Sequence, residues 1–243
     1  IAEQSMVGIA SGLSSIGYTP VLSTFAAFFT RAHDQLRMAA VSGSNMLCVG
    51  SHAGCHIGAD GASQMGLEDL GMFRSIPSSV ILYPSDALST MKCTELLLKH
   101  PHVRYLRTTR SKLPQLYGRS TTFKIGGYHM HGKGRRDQIT ILSAGVTVHE
   151  ALAVARLYPN VRVIDVYCIK PVLDRIKDDV VGTTIVVEDH HPQGGLADAL
   201  PFTPDHHLAV YGVPVSAQPH ECLVNAGIDR GAIEKIVRKI LKS

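Results

Sequence analysis

The chain has 243 residues, of which 45% are hydrophobic and 18% charged, and its formal net charge is +4. This composition is typical of a globular protein with room for two domains, and it excludes an intrinsically disordered chain. Basic residues cluster only at Lys133, Arg135 and Arg136, which we interpret as a solvated loop, so no nucleic-acid surface is predicted.

The spacing of the cysteines indicates the cellular compartment, and that of the histidines indicates whether the chain binds a metal. The five cysteines are widely spaced without a C-x-x-C pair, which indicates free thiols and a cytoplasmic location. None of the thirteen histidines lies in a Cys/His cluster with metal-ligand spacing, so no metal ligand is predicted in this chain. We find no signal peptide or membrane-spanning run and expect no membrane association.

In the first half of the chain, short β-branched runs alternate with segments of helical periodicity. The predicted strands are residues 21–23, 46–49, 80–82 and 103–106. Apolar residues at helical spacing predict helices around 6–13 and 28–39. A third helix is predicted over about 85–99, entered through the turn Tyr83-Pro84-Ser85-Asp86.

The second half repeats this rhythm after a polar, Gly- and Arg-rich stretch over about 113–137. Its predicted strands are residues 139–142, 161–164 and 184–187, and a helix with a clean apolar face closes the chain. Thr147 and Glu150 have the spacing of a capping box at a helix start.

Strands that alternate with helices predict mainly parallel sheets covered by helices. We therefore expect two α/β domains: residues 1–118, a linker over 119–137, and residues 138–243. Functional residues are expected at the carboxyl ends of the strands and in the loops that follow.

The loop over residues 51–64 follows a buried-looking strand and has the composition of a ligand loop. It holds His52, His56, Asp60 and Gln64 among three glycines, just before a helix predicted to begin near Gln64. Glycines allow the backbone to approach a ligand closely and to adopt positive φ angles. A plain turn with solvated polar side chains is the alternative interpretation of this loop.

Several longer segments resemble the animal-type transketolase family, in order and over essentially the whole chain. They are residues 1–4 (IAEQ), 23–32 (STFAAFFTRA), 58–65 (GADGASQM), 67–70 (LEDL), 83–86 (YPSD), 145–152 (GVTVHEAL), 169–171 (IKP) and 187–190 (VEDH). The first five resemble the family's pyrimidine-binding module, and the last three its C-terminal domain. The resemblance implies a thiamine diphosphate-binding fold followed by a transketolase C-terminal-domain-like α/β unit.

The resemblance also implies roles for individual residues. Glu3 matches the catalytic glutamate that contacts N1′ of the thiamine aminopyrimidine and shares a proton with it. We expect an apolar pocket to raise the pKa of Glu3 so that it can hold this proton near neutral pH. Phe25 and Phe28 match the aromatic residues that flank the aminopyrimidine, with Phe28 the stronger candidate for stacking, whereas Phe29 is expected in the core. Gln64 matches a position that lines the cofactor channel.

The substrate residues follow from the same resemblance. His52 matches a catalytic residue that hydrogen-bonds the substrate carbonyl or C1 hydroxyl, and Asp60 matches a residue that contacts the C2 hydroxyl. Arg110 matches the arginine that binds the sugar phosphate, for which a planar guanidinium is suited. The implied reaction is transfer of a two-carbon ketol unit from a ketose phosphate to an aldose phosphate, as in the pentose phosphate pathway.

The family binds the cofactor's diphosphate and Mg²⁺ through a module with a Gly-Asp-Gly motif and an Asn. The only similar motif in this chain lies in the loop over residues 51–64, called the substrate loop below, and no second candidate is present. The chain is therefore expected to supply half a site and to be inactive without a diphosphate-binding module or subunit. It would be either a fragment or one subunit of a split enzyme. A homodimer or heterotetramer is implied.

Two positions depart from the family pattern, and two other interpretations stay open. Ala59 replaces the usual Glu and Ala62 the usual Pro. A β subunit of a thiamine-dependent 2-oxoacid dehydrogenase would have the same two-domain arrangement, although His52 and Arg110 favour a sugar phosphate. A non-catalytic assembly subunit or fragment is the other alternative. The C-terminal domain shows no obvious chemistry, and its polar and glycine residues after the last predicted strand are interpreted as structural: His190, His191, Gly194 and Gly195.

Overall fold

Two five-stranded sheets, flanked by helices, form the framework of the chain in a computed structural model. The structure describes residues 1–132, 134 and 137–242, so the basic cluster at Lys133, Arg135 and Arg136 lies outside the described residues. Within the described part, no helix is long and apolar enough to cross a membrane.

The helices and strands follow the sequence periodicities closely. Those of the first half are α1 (Glu3–Ser15), β1 (Val21–Phe25), a 3₁₀ helix (Ala26–Ala32), α2 (His33–Val41), β2 (Met46–Ser51), a 3₁₀ turn (Cys55–Ile57), α3 (Asp69–Ser75), β3 (Val80–Leu82), α4 (Ala87–Lys99) and β4 (Val103–Arg107). Those of the second half are β5 (His129–His131), β6 (Ile139–Ser143), α5 (Val146–Ala155), β7 (Val161–Asp165), β8 (Cys168–Lys170), β9 (Thr183–Val187), β10 (His206–Leu208), α6 (Pro219–Ala226) and α7 (Arg230–Ile240), with short 3₁₀ segments at Asp174–Asp179 and Ala197–Ala199.

The predicted pair of mainly parallel sheets is confirmed. The strand orders are β1-β2-β4-β3-β8 and β10-β9-β6-β7-β5, and among the strands of the described residues only β8 and β5 run antiparallel to their neighbours. Strand β8 comes from the second half of the chain yet completes the first sheet. Strand β5 lies inside the stretch predicted as a linker and pairs with β7. The two halves are therefore joined through β8, which pairs with β3, as well as by the connecting segment.

Helix starts show where the sequence predictions succeeded and failed. Helix α4 follows the predicted turn and begins at Ala87, where Asp86 caps it: its carboxylate accepts a hydrogen bond from the Ser89 amide at 2.7 Å. The capping box at Thr147 is wrong, because α5 begins after Gly145 and Thr147 is already inside the helix. Its hydroxyl donates to backbone carbonyls of Ala144 and Val187 instead.

The helix predicted near Gln64 is also wrong. Residues 58–66 form turns, and α3 begins only at Asp69. The helix predicted over 28–39 is split into the 3₁₀ helix and α2, which share one buried side. That side consists of Phe29, Ala32, Leu36 and Ala39.

Asp165, at the end of β7, joins the two halves through a buried polar contact. Its Oδ2 accepts hydrogen bonds from the Ser85 hydroxyl at 2.6 Å and the Tyr117 hydroxyl at 2.5 Å. Its Oδ1 is buried without a hydrogen-bond partner among the described residues. Burial, with a smaller contribution from Asp86, raises the pKa of Asp165 to about 7, although the two hydroxyl donors oppose the shift.

This raised pKa predicts that stability falls as the pH rises towards 7. Between about pH 4 and pH 7 the folded protein holds a proton that the unfolded chain releases, so stability should decrease by about 1.4 kcal/mol per pH unit from this group. Above pH 7 the contribution is lost and the slope ends. Asp165→Asn should remove this slope, measured by urea unfolding over a pH series, whereas the exposed control Asp34→Asn should keep it. An unchanged slope in Asp165→Asn would show that Asp165 does not titrate in this range.

Candidate active site

The predicted site residues lie at one edge of the first sheet. Strands β1, β2 and β4 are parallel neighbours, so their carboxyl ends meet at the same edge. Phe25 ends β1, His52 directly follows β2, and Arg110 follows β4 by three residues. This is the place where ligands bind in open α/β sheets.

Glu3 opens α1 and carries a carboxylate that is almost fully buried, with 6% of the side chain exposed. One carboxylate oxygen accepts from the Arg31 guanidinium at 3.1 Å, and the other from the Thr24 hydroxyl at 3.2 Å and the Ile1 amino group at 3.1 Å. The surroundings of Glu3 are therefore polar and cationic.

The expectation of a raised pKa for Glu3 is wrong for the chain as it stands. Burial does favour the protonated form, but hydrogen bonds to the carboxylate and the positive charges outweigh it. Together they lower the pKa of Glu3 to about 2. The carboxylate is ionised at neutral pH, and it would need to lose cationic partners before it could hold a proton.

A row of flat side chains extends from Glu3 towards the substrate loop. The Arg31 guanidinium lies 4.4 Å from the ring centre of Phe28, and Phe28 stacks on Phe25 with centroids 5.3 Å apart. Phe25 stacks in turn on the His52 imidazole at 3.7 Å, with only 13° between the planes. Phe28 and Phe25 are half-buried, so their rings remain partly open to a ligand. Phe29 is fully buried, as predicted.

His52 is held in an unusual backbone conformation and is neutral at pH 7. Its φ angle is +56°, in the left-handed region that only a minority of non-glycine residues adopt. Burial lowers the pKa of His52 below its ordinary value; nearby Asp60 opposes the shift and Arg110 adds to it. A neutral imidazole can both donate and accept a hydrogen bond.

Asp60 and Arg110 form an ion pair beside this row. The Arg110 guanidinium contacts the Asp60 carboxylate at 2.9 Å, with the two side chains 49% and 31% exposed. An exposed pair of this kind contributes about 0–1 kcal/mol, so an anionic ligand can displace Asp60 from Arg110. Gln64 accepts a hydrogen bond from the hydroxyl of its neighbour Ser63.

The loop that carries His52 rests on a fully buried ion pair between Asp69 and Arg107. The guanidinium donates to the carboxylate at 2.8 and 3.1 Å, and Tyr105 donates its hydroxyl to the same carboxylate at 2.6 Å. Arg107 also donates to the backbone carbonyls of Gly66 and Asp189. Although burial acts the other way, Arg107 lowers the pKa of Asp69 and Asp69 raises that of Arg107, so both stay charged.

Sequence reasoning missed several residues that shape this site. Arg31 contacts Glu3 from 28 positions away, and Asp189 reaches the loop from the other half of the chain. Neither contact leaves a local spacing signal. Arg107 lies in the strand just before Arg110, but a buried arginine inside a strand cannot be distinguished from an exposed one without the fold. In the described part of the chain, no group of three or more His, Cys, Asp or Glu could hold a metal ion.

The fold and the placement of these residues define an α/β chain of the class that binds ligands beyond the carboxyl ends of parallel strands. Comparison with family models narrows this class. The model described as "Transketolase, pyrimidine binding domain" matches residues 1–115, and "Transketolase, C-terminal domain" matches residues 129–233.

Curated relatives agree with these matches. Transketolase of Homo sapiens is 46% identical over 99% of this chain, and transketolase-like protein 1 of Bos taurus is 42% identical over the same share. The chain spans 41% and 43% of the lengths of these two relatives. The chain therefore belongs to the transketolase family and corresponds to its pyrimidine-binding and C-terminal domains.

Solved structures show the same fold. A structure titled "Split gene transketolase, inactive beta4 tetramer" superposes with a TM-score of 0.89 at 27% identity, and the match covers all of this chain and 82% of that one. Transketolase from Leishmania mexicana superposes with a TM-score of 0.85 at 22% identity, covering 99% of this chain and 37% of that one. The alternative of a 2-oxoacid dehydrogenase β subunit is not favoured by these matches.

Breaking the Asp69–Arg107 pair should strongly destabilise the protein. Asp69→Asn leaves a buried guanidinium without its counter-charge, which costs about 3–5 kcal/mol of unfolding free energy. Urea unfolding at pH 7 measures this loss. The control Asp34→Asn, from an exposed pair with Arg37, should change stability by less than about 0.5 kcal/mol. A loss below about 1 kcal/mol in Asp69→Asn would show that the pair does not hold the fold.

Proposed function

We propose that this chain supplies the pyrimidine- and substrate-binding half of a transketolase, which transfers a two-carbon ketol unit from a ketose phosphate to an aldose phosphate. The observation that carries the proposal is the continuous row from the Glu3 carboxylate through Arg31, Phe28 and Phe25 to His52. Such a row offers, side by side, a carboxylate, aromatic faces and a neutral imidazole.

The residues present fit the aminopyrimidine of thiamine diphosphate. The planar Arg31 guanidinium lies over the Phe28 ring and donates an N–H to Glu3. These are the two contacts that a flat, N–H-bearing heterocycle requires at this position. The Arg31 side chain is 46% exposed, so it can swing into solvent and release both groups. Glu3 and Phe28 would hold the aminopyrimidine, with Phe25 behind Phe28, and Gln64 is proposed to line the channel.

When bound, thiamine diphosphate supplies the carbon nucleophile and the electron sink for cleavage of the ketose carbon–carbon bond. The protein then has to place a proton and orient a sugar. Moving Arg31 away removes one of the contacts that lower the pKa of Glu3, while burial, which raises it, remains. To share a proton with a ring nitrogen at neutral pH, Glu3 would also have to lose its contact with the Ile1 amino group, which lowers its pKa as well.

The other predicted residues supply the sugar contacts. His52, neutral and bordered by Phe25, can hydrogen-bond a carbonyl or hydroxyl oxygen near the reacting carbon. Asp60 would accept from a sugar hydroxyl once a phosphate takes its place on Arg110. A phosphate dianion on the guanidinium can make two parallel hydrogen bonds, a stronger contact than the exposed pair it replaces.

The proposal includes a second module that holds Mg²⁺ and the diphosphate. It is supported by the 41% share of the human relative that this chain spans, and by the split-gene transketolase whose tetramer is described as inactive. This chain would act in a homodimer or a heterotetramer with that module or subunit. Its buried free thiols favour the cytoplasm, where a pentose phosphate enzyme would work. We also propose the domain limits 1–118 and 138–243, joined by 119–137.

Glu3→Gln should abolish most of the turnover. The assay joins the chain to its diphosphate-binding module or partner, adds thiamine diphosphate and Mg²⁺, and follows ketol transfer from xylulose 5-phosphate. The amide keeps the shape of Glu3 but cannot take up the ring proton, so kcat should fall about 100-fold or more. Glu95→Gln, an exposed change on α4, is the matched control. Equal turnover by Glu3→Gln and the wild type would refute the catalytic role.

Arg110→Leu should separate a sugar phosphate from an unphosphorylated substrate. Loss of a charge-assisted contact worth about 1.5–3 kcal/mol raises KM for a ketose phosphate by about 10- to 100-fold. KM for a ketose without phosphate should change little, and the control Arg37→Leu, an exposed change on α2, should change neither. An equal loss for both ketoses would argue against phosphate binding by Arg110.

A further inference from the structure

The substrate loop belongs to the pyrimidine-binding domain in sequence, but its apolar side chains are buried in the core of the second half of the chain. Cys55 and Ile57 of this loop, together with Met65 and Leu67 just after it, are at most 3% exposed, and they pack in one cluster with residues of β6, α5 and α6. The backbone of the second half also reaches the loop, since the His191 amide donates to the Leu67 carbonyl at 3.1 Å.

One charged side chain of the second half binds the backbone of this loop directly. Asp189 follows β9 and is only 1% exposed. Its Oδ1 accepts a hydrogen bond from the Cys55 amide at 2.7 Å, and its Oδ2 accepts a longer one from the His56 amide at 3.4 Å. Both amides lie at the start of the 3₁₀ turn that separates His52 from Asp60.

The glycine before this turn is required by the same carboxylate. A Cβ atom on Gly54 would lie 1.9 Å from Asp189 Oδ2, and the φ angle of Gly54 is +81°. No other residue fits there without moving either the loop or Asp189. The loop backbone and the carboxylate are thus in direct contact, with no side chain between them.

His52 is held from both sides by backbone hydrogen bonds. The Gly66 amide donates to the His52 carbonyl at 3.4 Å, the Ala53 amide to the Thr108 carbonyl at 3.1 Å, and the Gly54 amide to the Gly66 carbonyl at 2.8 Å. Immediately beyond lie the two amides bound by Asp189. A positive φ at a non-glycine residue costs about 1–2 kcal/mol, so His52 keeps its orientation only where neighbouring contacts fix it.

We infer that Asp189 is a positioning residue, by which the C-terminal domain fixes the His52–Asp60 loop in the orientation that receives the sugar. Within the described part of the chain, Asp189 forms no hydrogen bond or ion pair with His52 or Asp60; it acts through the amides of Cys55 and His56. The inference rests on the proposed function for its kinetic consequence. It gives the C-terminal domain, for which no catalytic residue is predicted, a defined part in substrate recognition.

Three variants of the complete protein test this role. Asp189→Ala removes both acceptors, whereas Asp189→Asn can keep the bond from Cys55 through its amide oxygen and loses the one from His56. Asp205→Asn is the matched control, because Asp205 also accepts from a backbone amide of the second half, that of Thr184, but lies away from the loop. Urea unfolding identifies any variant that is globally destabilised.

Amide hydrogen exchange of residues 52–66 tests the contact without any need for turnover. Asp189→Ala should speed exchange in this peptide by about tenfold or more, with a smaller increase in Asp189→Asn and none in Asp205→Asn. If Asp189→Ala does not fold, the exchange measurement on Asp189→Asn, whose side chain has the same shape as Asp, tests the inference instead. Exchange that is unchanged in a folded Asp189 variant would overturn the inference.

Steady-state kinetics test the consequence for the sugar. Asp189→Ala should lower kcat/KM for a ketose phosphate by about tenfold or more, since misplaced substrate contacts are costly, while thiamine diphosphate affinity stays within about twofold. Asp189→Asn should recover part of the loss. An equal fall in cofactor affinity would instead indicate a general structural role and would contradict the inference. Absence of wild-type turnover would refute the proposed function, and the exchange result would still decide whether Asp189 holds the loop.

Discussion

The ion pair between Asp69 and Arg107 is fully removed from solvent, and each of its remaining contacts reaches a different part of the chain. Arg107 holds the carbonyl of Gly66 at the end of the substrate loop and that of Asp189 in the second half. Asp69 opens α3 and binds the Tyr105 hydroxyl of β4. A buried pair gains little over an apolar one in net stability, so its value here is geometric. It fixes four segments relative to one another, and the candidate site lies among them.

Much of the fold could be predicted because it depends on local patterns. The β-branched runs at 46–49 and 139–142 became central strands, and the apolar face of the last helix is buried through Ile233 and Val237. Helix starts were predicted less well. Helix α4 follows its predicted turn, but the hydroxyl of Thr147 donates to the carbonyl of Val187, a partner forty residues away that no local motif shows.

The candidate site likewise has features that could be predicted from the sequence and features that could not. The carboxyl ends of β1, β2 and β4 could be expected to bring Phe25, His52 and Arg110 to one edge, because parallel neighbours align. The electrostatics could not be predicted. Burial raises the pKa of Glu3, but a backbone hydrogen bond and the contacts with the Ile1 amino group and Arg31 together lower it by more, so an apolar pocket assumed from the family role gave the wrong direction. Of these contacts, the one with Arg31 joins segments that meet only in the folded chain.

The two domains therefore contribute to the site in different ways. The first carries the side chains that would meet the cofactor and sugar, while the second supplies apolar packing and the Asp189 carboxylate under the loop between them. Strand β8, from the second half of the chain, pairs with β3 in the first sheet, so the domains cannot separate without breaking that pairing. A loop fixed in this way keeps His52 in its strained conformation. Because the loop is ordered during folding, binding of a sugar there does not include the entropy loss of ordering it.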